Sequence, residues 1–358
     1  MYDYLVVGLG LAGIAFCEEL DAAGKSYLVI SDTSQQASLV AGGLYNPVIL
    51  KRFTLAWKAD EQLRQAIPFY KSLEKKLGVT LDYPLPVYRR LASVEEQNLW
   101  YEAADKPILQ SFLSASVVDN TNPHIDAPYG LGKVLHTGRI ATQTLLTHYQ
   151  DYLKQHQRLI VARFDHQHLQ LQNNGVNYNG IQARKLVFAQ GFGLNKNPWF
   201  NYLPLNGTKG ELLTIEAPKL QEEGVIKSSV FLIPLGQHRY RVGATYKWKD
   251  KTNLPTEASR KELLDKLGTF LNCDFKVVNH VAGIRPTVAD RRPLVGVHPK
   301  HKGLSIINGL GSRGVLIAPY AATQLFQHLE EGTPIDSEMD IQRFAKKWDQ
   351  SLRTKVSS

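Results

Sequence analysis

The sequence predicts an α/β fold of two domains, of which the second is of α+β type and contains an antiparallel sheet. Two observations predict it. The chain opens with the apolar run YDYLVV, followed by glycines at positions 8, 10 and 13, and its middle carries alternating segments rich in β-forming residues, such as VFLIPL and RYRVGATY. At 358 residues, of which 43% are hydrophobic, the chain is long enough to build two cores.

The glycine triplet lies where a predicted strand passes into a helix. The apolar run before it is typical of a buried parallel strand, IAFCEELDAAGK predicts a helix that stops at Gly24, and SYLVIS predicts the next strand. Within about 30 residues this is the dinucleotide-binding fingerprint of a Rossmann-like domain. We expect Gly8 to form the tight turn, Gly10 to admit a pyrophosphate, and Gly13 to let the helix pack closely. The predicted contacts are Gly8, Gly10, Leu11, Ala12 and Gly13.

Two residues compete for the ribose contact. The fingerprint usually continues with an acidic residue at the end of the second strand, which binds a ribose hydroxyl. Here that position holds Ser31, and Asp32 follows directly. Because a serine hydroxyl binds more weakly than a carboxylate, both residues are candidates, and these residues alone leave the identity of the dinucleotide open.

Four later segments extend the pattern along the chain. They are SLVAGGLYNPV (38–48), ARKLVFAQGFG (183–193), VAGIRPTVADRRPLVG (281–296) and GLSIINGLGSRGVLIAPYAATQLFQHL (303–329). The first contains paired glycines suited to bringing main chain against a large planar ring, and the last predicts a strand, a glycine-rich turn and a final helix that begins near Val315. In order and spacing these motifs resemble the D-amino-acid oxidase family of FAD-dependent oxidoreductases, which includes glycine and sarcosine oxidases, from residue 4 to about residue 329.

The resemblance implies FAD as the cofactor. The start of the final helix would face the pyrimidine edge of the flavin, and its positive end would favour the reduced, anionic flavin by about 0.3 to 1 kcal/mol. A helix that is merely capped by glycine is the alternative. The sequence departs from the family pattern at Ser31 and in the YNPV that follows the paired glycines. The further implied contacts with FAD are Gly42, Gly43, Ala189, Gly191, Gly311, Ser312, Arg313, Gly314 and Val315.

The resemblance also implies the chemistry. In this family a C–H bond next to a nitrogen passes a hydride to flavin N5, and the protein mainly orients the reactants. The arginine of the family's RP pair, here Arg285, would hold the substrate carboxylate bidentately; a structural salt bridge is the alternative. Arg313 matches a second substrate-side position in some relatives, or faces solvent. Tyr246 and Tyr240 could cover the substrate, or be ordinary sheet residues.

Three functions are compatible with the sequence. The first is oxidation of a small-molecule amine or amino acid, as in glycine oxidases. The second rests on KGELLTI (209–215), RYRVGATYKWKDK (239–251) and above all GLGSRGVLIAP (309–319), which are similar to the oxidase domain of the bifunctional tRNA 5-methylaminomethyl-2-thiouridine biosynthesis enzymes. It is a stand-alone oxidase of the carboxymethylaminomethyl group on a tRNA wobble uridine, because the chain has no length for the methyltransferase domain of those enzymes. The third is a flavin-binding protein without turnover.

The charge of the chain permits tRNA as a partner without requiring it. The formal net charge is +9 and the pI is near 9.3, which suits an anionic partner. The basic residues are scattered in short pairs, however, as on an ordinary solvated surface. The sequence leaves the oligomeric state open.

The predicted domains are discontinuous. We expect residues 1–80, 130–200 and 283–358 to form the FAD-binding domain, and 81–129 and 201–282 to form the substrate domain. TGRIATQTLLTHYQDYLKQH predicts an amphipathic helix that starts at Thr137.

The remaining sequence features predict no further site. Cys17 and Cys273 have no ligand spacing, so we expect neither a disulfide nor a zinc site, and Cys17 should pack as a small hydrophobe. The histidines of DHQHL (165–169) and HPKHK (298–302) are expected at the surface, without a metal. No leader is visible, and no apolar run reaches the roughly 18 residues that a membrane span needs, so we expect a cytoplasmic protein without a membrane partner.

Overall fold

The computed structural model describes residues 1–32 and 34–356, with residues 351–356 as backbone only. Its helices are α1 Leu11–Ala22, α2 Ala37–Val40, α3 Ala59–Leu77, α4 Val94–Ala104, α5 Thr142–Gln155, α6 Glu257–Leu267, α7 Gly314–Glu331 and α8 Ala345–Val356. Its strands are β1 Tyr2–Val7, β2 Tyr27–Ser31, β3 Leu44–Tyr45, β4 Val48–Ile49, β5 Thr54–Leu55, β6 Asp82–Pro84, β7 Val87–Arg90, β8 Leu113–Val118, β9 Leu131–Val134, β10 Gly138–Ile140, β11 Leu159–Val161, β12 Leu169–Gln172, β13 Gly175–Tyr178, β14 Ile181–Phe188, β15 Thr208–Glu216, β16 Val225–Lys227, β17 Phe231–Gly236, β18 Arg239–Gly243, β19 Lys276–Arg285, β20 Leu294–Val297 and β21 Leu304–Asn308.

The chain divides into two compact units. The first unit combines Met1–Leu39, Gln143–Thr208 and Ile284–Ser358, and the second combines Val40–Thr142 and Lys209–Gly283. Both units are therefore discontinuous in sequence.

The first unit is built on a mainly parallel sheet. Strands β11, β2, β1, β14 and β21 follow one another in this order, and all of these neighbours are parallel. The β12–β13 hairpin pairs antiparallel with β14, and β20 pairs antiparallel with β21. Because β1 lies between two parallel partners, it is buried from Tyr4 through Val7. The carboxyl ends of β1, β2, β14 and β21 share one side of this sheet, which we call the carboxyl edge.

Apolar residues of the sheet and of α1 form the core of the first unit. Leu5 and Val7 of β1 belong to a buried cluster with Phe188 of β14. Helix α1 is buried over most of its length, and Phe16 and Cys17 are fully buried. Cys17 therefore packs as a small hydrophobe, as predicted.

The described part of the second unit contains three sheets, of which the smallest is the antiparallel pair β4–β5. In the largest one the strand order is β19-β15-β18-β17-β16-β7-β9-β8. The pairs that β18 makes with β15 and β17 are antiparallel, as are those of β9 with β7 and β8, whereas β7 and β16 run parallel. The third sheet, β3-β10-β6, is antiparallel. The two sheet types confirm the predicted α/β class with a second, largely antiparallel domain.

A buried apolar cluster covers one face of the largest sheet in the second unit. Leu213 and Ile215 of β15 and Tyr240 and Val242 of β18 contribute to it, together with Leu263 of α6. The alternation along each strand places every second residue in this cluster.

Two boundaries differ from the sequence prediction. The helix expected to start at Thr137 starts at Thr142, because Gly138–Ile140 pairs as β10 with both β3 and β6. Residues 40–80 and 130–142 were expected in the FAD-binding domain but belong to the second unit. The physical reason is that β3, β6 and β10 form one sheet, onto which α3 packs through β6.

The prediction that His298 lies at the surface is wrong. This residue is 1% exposed, and its Nδ1 accepts hydrogen bonds from Lys300 N and His301 N. His298 directly follows the buried strand β20, and its ring packs against Phe200 and Trp348. Within the described residues no group of three or more histidine, cysteine or acidic side chains could hold a metal. No helix in that part of the chain has both the length and the apolar character to cross a bilayer.

Candidate functional site

Backbone hydrogen bonds hold three strand ends together at the carboxyl edge. Gly8 N donates to Ile30 O over 2.9 Å, and Ala189 N donates to Val7 O over 2.7 Å. The end of β1 is therefore fixed between the ends of β2 and β14. In open α/β sheets, ligands bind outside this edge.

Two of the predicted glycines are required by close backbone contacts. Gly8 has a φ of +104°, and a Cβ at this position would lie 2.4 Å from Ala189 O. A Cβ at Gly13 would lie 2.1 Å from Gly8 O. Since non-bonded atoms do not approach so closely, a side chain at either position would force the backbone apart. The structure thus contains the expected tight turn at Gly8 and the expected close packing of α1 at Gly13.

The start of α1 offers hydrogen-bond donors to an anion. The helix begins at Leu11 after its N-cap Gly10, and its first turn is closed by the bond from Ile14 N to Gly10 O. The N–H groups of a first helical turn lie at the positive end of the helix dipole, which suits a pyrophosphate. Ser38 Oγ accepts from Leu11 N over 3.3 Å. The sequence analysis missed Ser38, whose only signal was a short polar side chain in a loop of small residues.

Ser31 supports the glycine turn. Its Oγ accepts from Leu9 N over 3.1 Å and donates to Asp32 O over 3.3 Å. The Asp32 carboxylate accepts through Oδ1 from the backbone N and the Oγ of Ser34. The Ser31 hydroxyl, at the position that is usually acidic, is thus hydrogen bonded to the turn. The carboxylate, that of Asp32, lies one residue later.

A polar network that the sequence analysis missed fixes the loop after β14, which contains the predicted contacts Ala189 and Gly191. Asn308 is 1% exposed, and its Nδ2 donates to Gly191 O over 2.9 Å. Gln35 Oε1 accepts from Gly193 N over 3.2 Å. The available signal was the asparagine at the end of the apolar strand β21, because a buried amide needs partners.

The RP and GSRG motifs lie on two segments that are hydrogen bonded to each other. Arg285 is the last residue of β19, and Pro286 O, directly after it, accepts from Gly311 N over 3.1 Å. Arg313 is the N-cap of α7, which begins at Gly314 rather than one residue later as predicted. The fold therefore brings the backbones of the two predicted substrate-side arginines together within the first unit, although they are far apart in sequence.

Arg313 is a half-buried cation. Burial, followed by the positive charge of Arg292, lowers the pKa of the Arg313 guanidinium to about 10. The group still carries its proton at neutral pH. Arg292 itself pairs with Glu338 over 2.9 Å, so the positive charge available to an anion at this place is mainly that of Arg313.

The paired glycines are required by packing within the second unit. Gly43 has a φ of +71°, and a Cβ there would lie 2.0 Å from Ile140 O. A Cβ at Gly42 would lie 3.0 Å from Ile233 Cδ1. Main chain therefore passes closely between β10 and β17 at this point.

The two predicted tyrosines lie in different environments. Tyr240 is 3% exposed, and its hydroxyl accepts from Glu222 N over 3.0 Å in the core of the second unit. The prediction that it could cover a substrate is therefore wrong. Tyr246 is 52% exposed and follows the end of β18. The backbone of the next residue, Lys247, forms an isolated antiparallel β-bridge with the backbone of Lys209.

A family model described as FAD dependent oxidoreductase, DAO, matches residues 3–327. The chain belongs to this family. It is an FAD-dependent oxidoreductase, and its cofactor is FAD. The carboxyl edge fits this cofactor, because Gly8 and Gly13 form a turn without room for side chains and α1 begins directly behind it.

Two curated relatives and one solved structure show how far the similarity extends. The chain is 23% identical to the tRNA 5-methylaminomethyl-2-thiouridine biosynthesis bifunctional protein of Burkholderia thailandensis over 94% of this chain and 58% of the relative. It is 27% identical to the glycine oxidase of Bacillus subtilis over 39% of each chain. It therefore spans less than two thirds of the length of either relative. The glycine oxidase structure from Bacillus cereus covers 94% of this chain and 96% of its own, with a TM-score of 0.76 at 20% identity.

Gly13→Ala is expected to weaken FAD binding at least tenfold, about 1.4 kcal/mol, because the added Cβ would lie 2.1 Å from Gly8 O. Gly303→Ala is the matched control in the same unit, since the nearest atom to its Cβ would be 3.8 Å away. The measurement is the flavin absorbance per chain that remains after gel filtration and a titration with FAD. Equal FAD affinity in the two variants would contradict the role of this close contact.

Proposed function

We propose that this flavoenzyme oxidises the C–N bond of a small amine that carries a carboxylate, in the manner of a glycine oxidase. The observation that carries the proposal is the bonded pair of segments that bears Arg285 and Arg313 in the first unit. The half-buried positive charge of Arg313 favours an anionic substrate. A relative named glycine oxidase acts on an amine of this kind.

We infer the roles of the residues from their chemistry. Arg285 would hold the substrate carboxylate through the paired N–H groups of its guanidinium, and Arg313 would add a second positive charge. The start of α7, from Gly314, would stabilise negative charge on the flavin. The turn from Gly8 to Gly13 would hold the pyrophosphate, and Asp32 would bind the ribose, because the Ser31 hydroxyl is engaged with the turn. Tyr246 remains a predicted substrate contact.

The reaction requires a neutral amine and no catalytic base. When bound, FAD supplies the acceptor for a hydride at N5. The C–H bond next to the nitrogen breaks, its electron pair leaves with the hydrogen, and the nitrogen lone pair forms the C=N bond. Water then adds to this imine and releases the carbonyl product and the amine. The side chains therefore need only to bind the carboxylate and to orient the C–H bond.

Arg285→Ala is expected to slow flavin reduction at low amine concentration roughly tenfold to hundredfold, because a charge-assisted contact with the carboxylate is lost. Arg184→Ala, at an exposed arginine of the same unit, is the control and should leave the rate unchanged. The measurement is anaerobic bleaching of the flavin by glycine, sarcosine and D-alanine. Unchanged reduction in Arg285→Ala would refute the carboxylate clamp. Absence of bleaching by every amine and by tRNA in the unmodified enzyme would favour a flavin-binding protein without turnover.

The rate of flavin reduction is expected to rise about tenfold per pH unit below the pKa of the substrate amine and to level off above it. The reason is that the protonated amine has no lone pair with which to form the C=N bond. Stopped-flow reduction at a fixed, low amine concentration measures this dependence. A flat profile across the titration of the amine would count against hydride transfer from the neutral amine.

A second candidate function is oxidation of a modified wobble uridine in tRNA. It is favoured by an exposed segment of the second unit in which aromatic and basic residues alternate. Tyr246 and Trp248 are 52% and 51% exposed, and the exposed Lys249 follows them. Asp250 Oδ2 anchors the segment through an ion pair of 2.5 Å with the buried Lys209. Aromatic rings that stack on bases, beside lysines that contact phosphates, are typical of surfaces that bind single-stranded nucleic acid.

Trp248→Ala is expected to weaken tRNA binding by about 1 to 3 kcal/mol without changing reduction by a small amine, because one stacking partner is lost. Tyr101→Ala, at an exposed aromatic residue on α4, is the matched control. The measurement is tRNA affinity over a range of salt concentrations, with flavin bleaching by tRNA that carries carboxymethylaminomethyluridine. Equal affinity of both variants, or a negligible salt dependence, would remove the tRNA candidate.

A further inference from the structure

Two half-buried arginines of the second unit have no role in the proposed function. Arg139 lies on β10 and Arg241 on β18. The neighbours of Arg241 along its strand, Tyr240 and Val242, belong to the buried apolar cluster. Arg241 therefore lies on the opposite face of the sheet, beside Ile233 of the adjacent strand β17.

Each guanidinium has one contact that positions it. Arg241 Nη1 donates to Val40 O over 3.2 Å, and Arg139 Cζ lies 4.6 Å from the centroid of the Tyr83 ring. The Nε atoms of both arginines are buried, and neither has a hydrogen-bond partner among the residues that the structure describes. Buried N–H donors normally have a partner, so these two atoms call for an acceptor.

The two arginines also influence each other's charge. Burial lowers the pKa of both guanidinium groups, and the positive charge of Arg139 lowers the pKa of Arg241 further. Two neighbouring cations in a half-buried place are unfavourable unless an anion accompanies them.

Lys209 shows how the same unit accommodates a buried cation with a structural role. Its side chain is fully buried, and its Nζ lies 2.5 Å from Asp250 Oδ2 and 3.5 Å from Glu211 Oε1. It also donates to Leu254 O. In the described part of the chain no carboxylate pairs with Arg139 or Arg241 in this way. The arginine pair therefore differs from a buried ion pair that serves only stability.

The main chain from Val40 to Gly43 packs against both arginines. Val40 O accepts from Arg241, and a Cβ at Gly43 would lie 3.4 Å from Arg139 Cγ and 2.0 Å from Ile140 O. No side chain fits at Gly43, so the backbone packs directly onto β10. This close packing restricts the movement of Arg139 and keeps it near Arg241.

We propose that Arg139 and Arg241 form an anion-binding site of the second unit, which takes the carboxylate group of a small organic anion. The planar N–H pairs of a guanidinium match the two oxygens of a carboxylate. Tyr83, which is 39% exposed, offers apolar surface to the carbon skeleton of such a ligand. Both arginines belong to the second unit, whereas the proposed clamp Arg285 belongs to the first.

Calorimetric binding of malonate to the FAD-loaded enzyme tests this site, in an Arg285→Ala background that removes the other proposed carboxylate clamp. Malonate is expected to bind, whereas its neutral analogue malonamide is not. Arg139→Gln and Arg241→Gln should each weaken malonate binding at least tenfold. Arg239→Gln, at an exposed arginine on the same strand as Arg241, should leave it unchanged.

Three results would overturn the site: no malonate binding, equal affinity in all three glutamine variants, or tighter binding of inorganic phosphate than of malonate. A second measurement needs no substitution and so does not depend on how the variants fold. Malonate should protect Arg139 and Arg241 of the unmodified enzyme from phenylglyoxal, as mapped by peptide mass spectrometry, and should leave modification of Arg239 unchanged. Unprotected Arg139 and Arg241 would refute the proposal.

Discussion

The close approach of main chain at the carboxyl edge is the constraint on which the flavin site depends. Ala189 O lies where a side chain of Gly8 would be, and Gly8 O lies where a side chain of Gly13 would be. Because β1, β14 and the start of α1 meet without side chains between them, the helix can begin directly behind the strand. Its first N–H groups then reach the edge at which a pyrophosphate would bind. Two serine hydroxyls, of Ser31 and Ser38, hold this turn from neighbouring segments.

Part of the positive charge of the chain is placed inside the protein rather than on a solvated surface. Arg313 in the first unit and Arg139 and Arg241 in the second are each partly buried, and burial lowers the pKa of all three. In each unit a second arginine adds to the effect. Such an arrangement is unfavourable by itself and is typical of places where a protein meets an anion. This arrangement explains part of the net charge of +9 without a nucleic-acid partner.

The departure from the family pattern at Ser31 has a local physical explanation. A serine hydroxyl can accept from the turn and donate to a neighbouring carbonyl at the same time, and Ser31 does both, with Leu9 N and Asp32 O. A carboxylate only accepts. The serine therefore stabilises the glycine turn, and the adjacent Asp32 supplies the carboxylate that we propose for the ribose contact.

The sequence by itself determined the elements whose information is local. The apolar run of β1, the glycine spacing and the start of α7 were predicted within one or two residues, because strand burial, a tight turn and a helix start each depend on adjacent residues. Helix α8, which follows α7, was not predicted. Through the family motifs, the sequence also identified Arg285 and Arg313 as candidate substrate-side residues.

Only the tertiary structure decided the features that depend on distant partners. Thr137 failed as a helix start because Gly138–Ile140 pairs with two strands from elsewhere in the chain. Tyr240 is buried because its face of β18 meets a core, and His298 is buried because its ring packs against Phe200 and Trp348. Arg139 and Arg241, on strands far apart in sequence, become neighbours only when the second unit folds, since electrostatic proximity depends on strand packing and not on spacing along the chain.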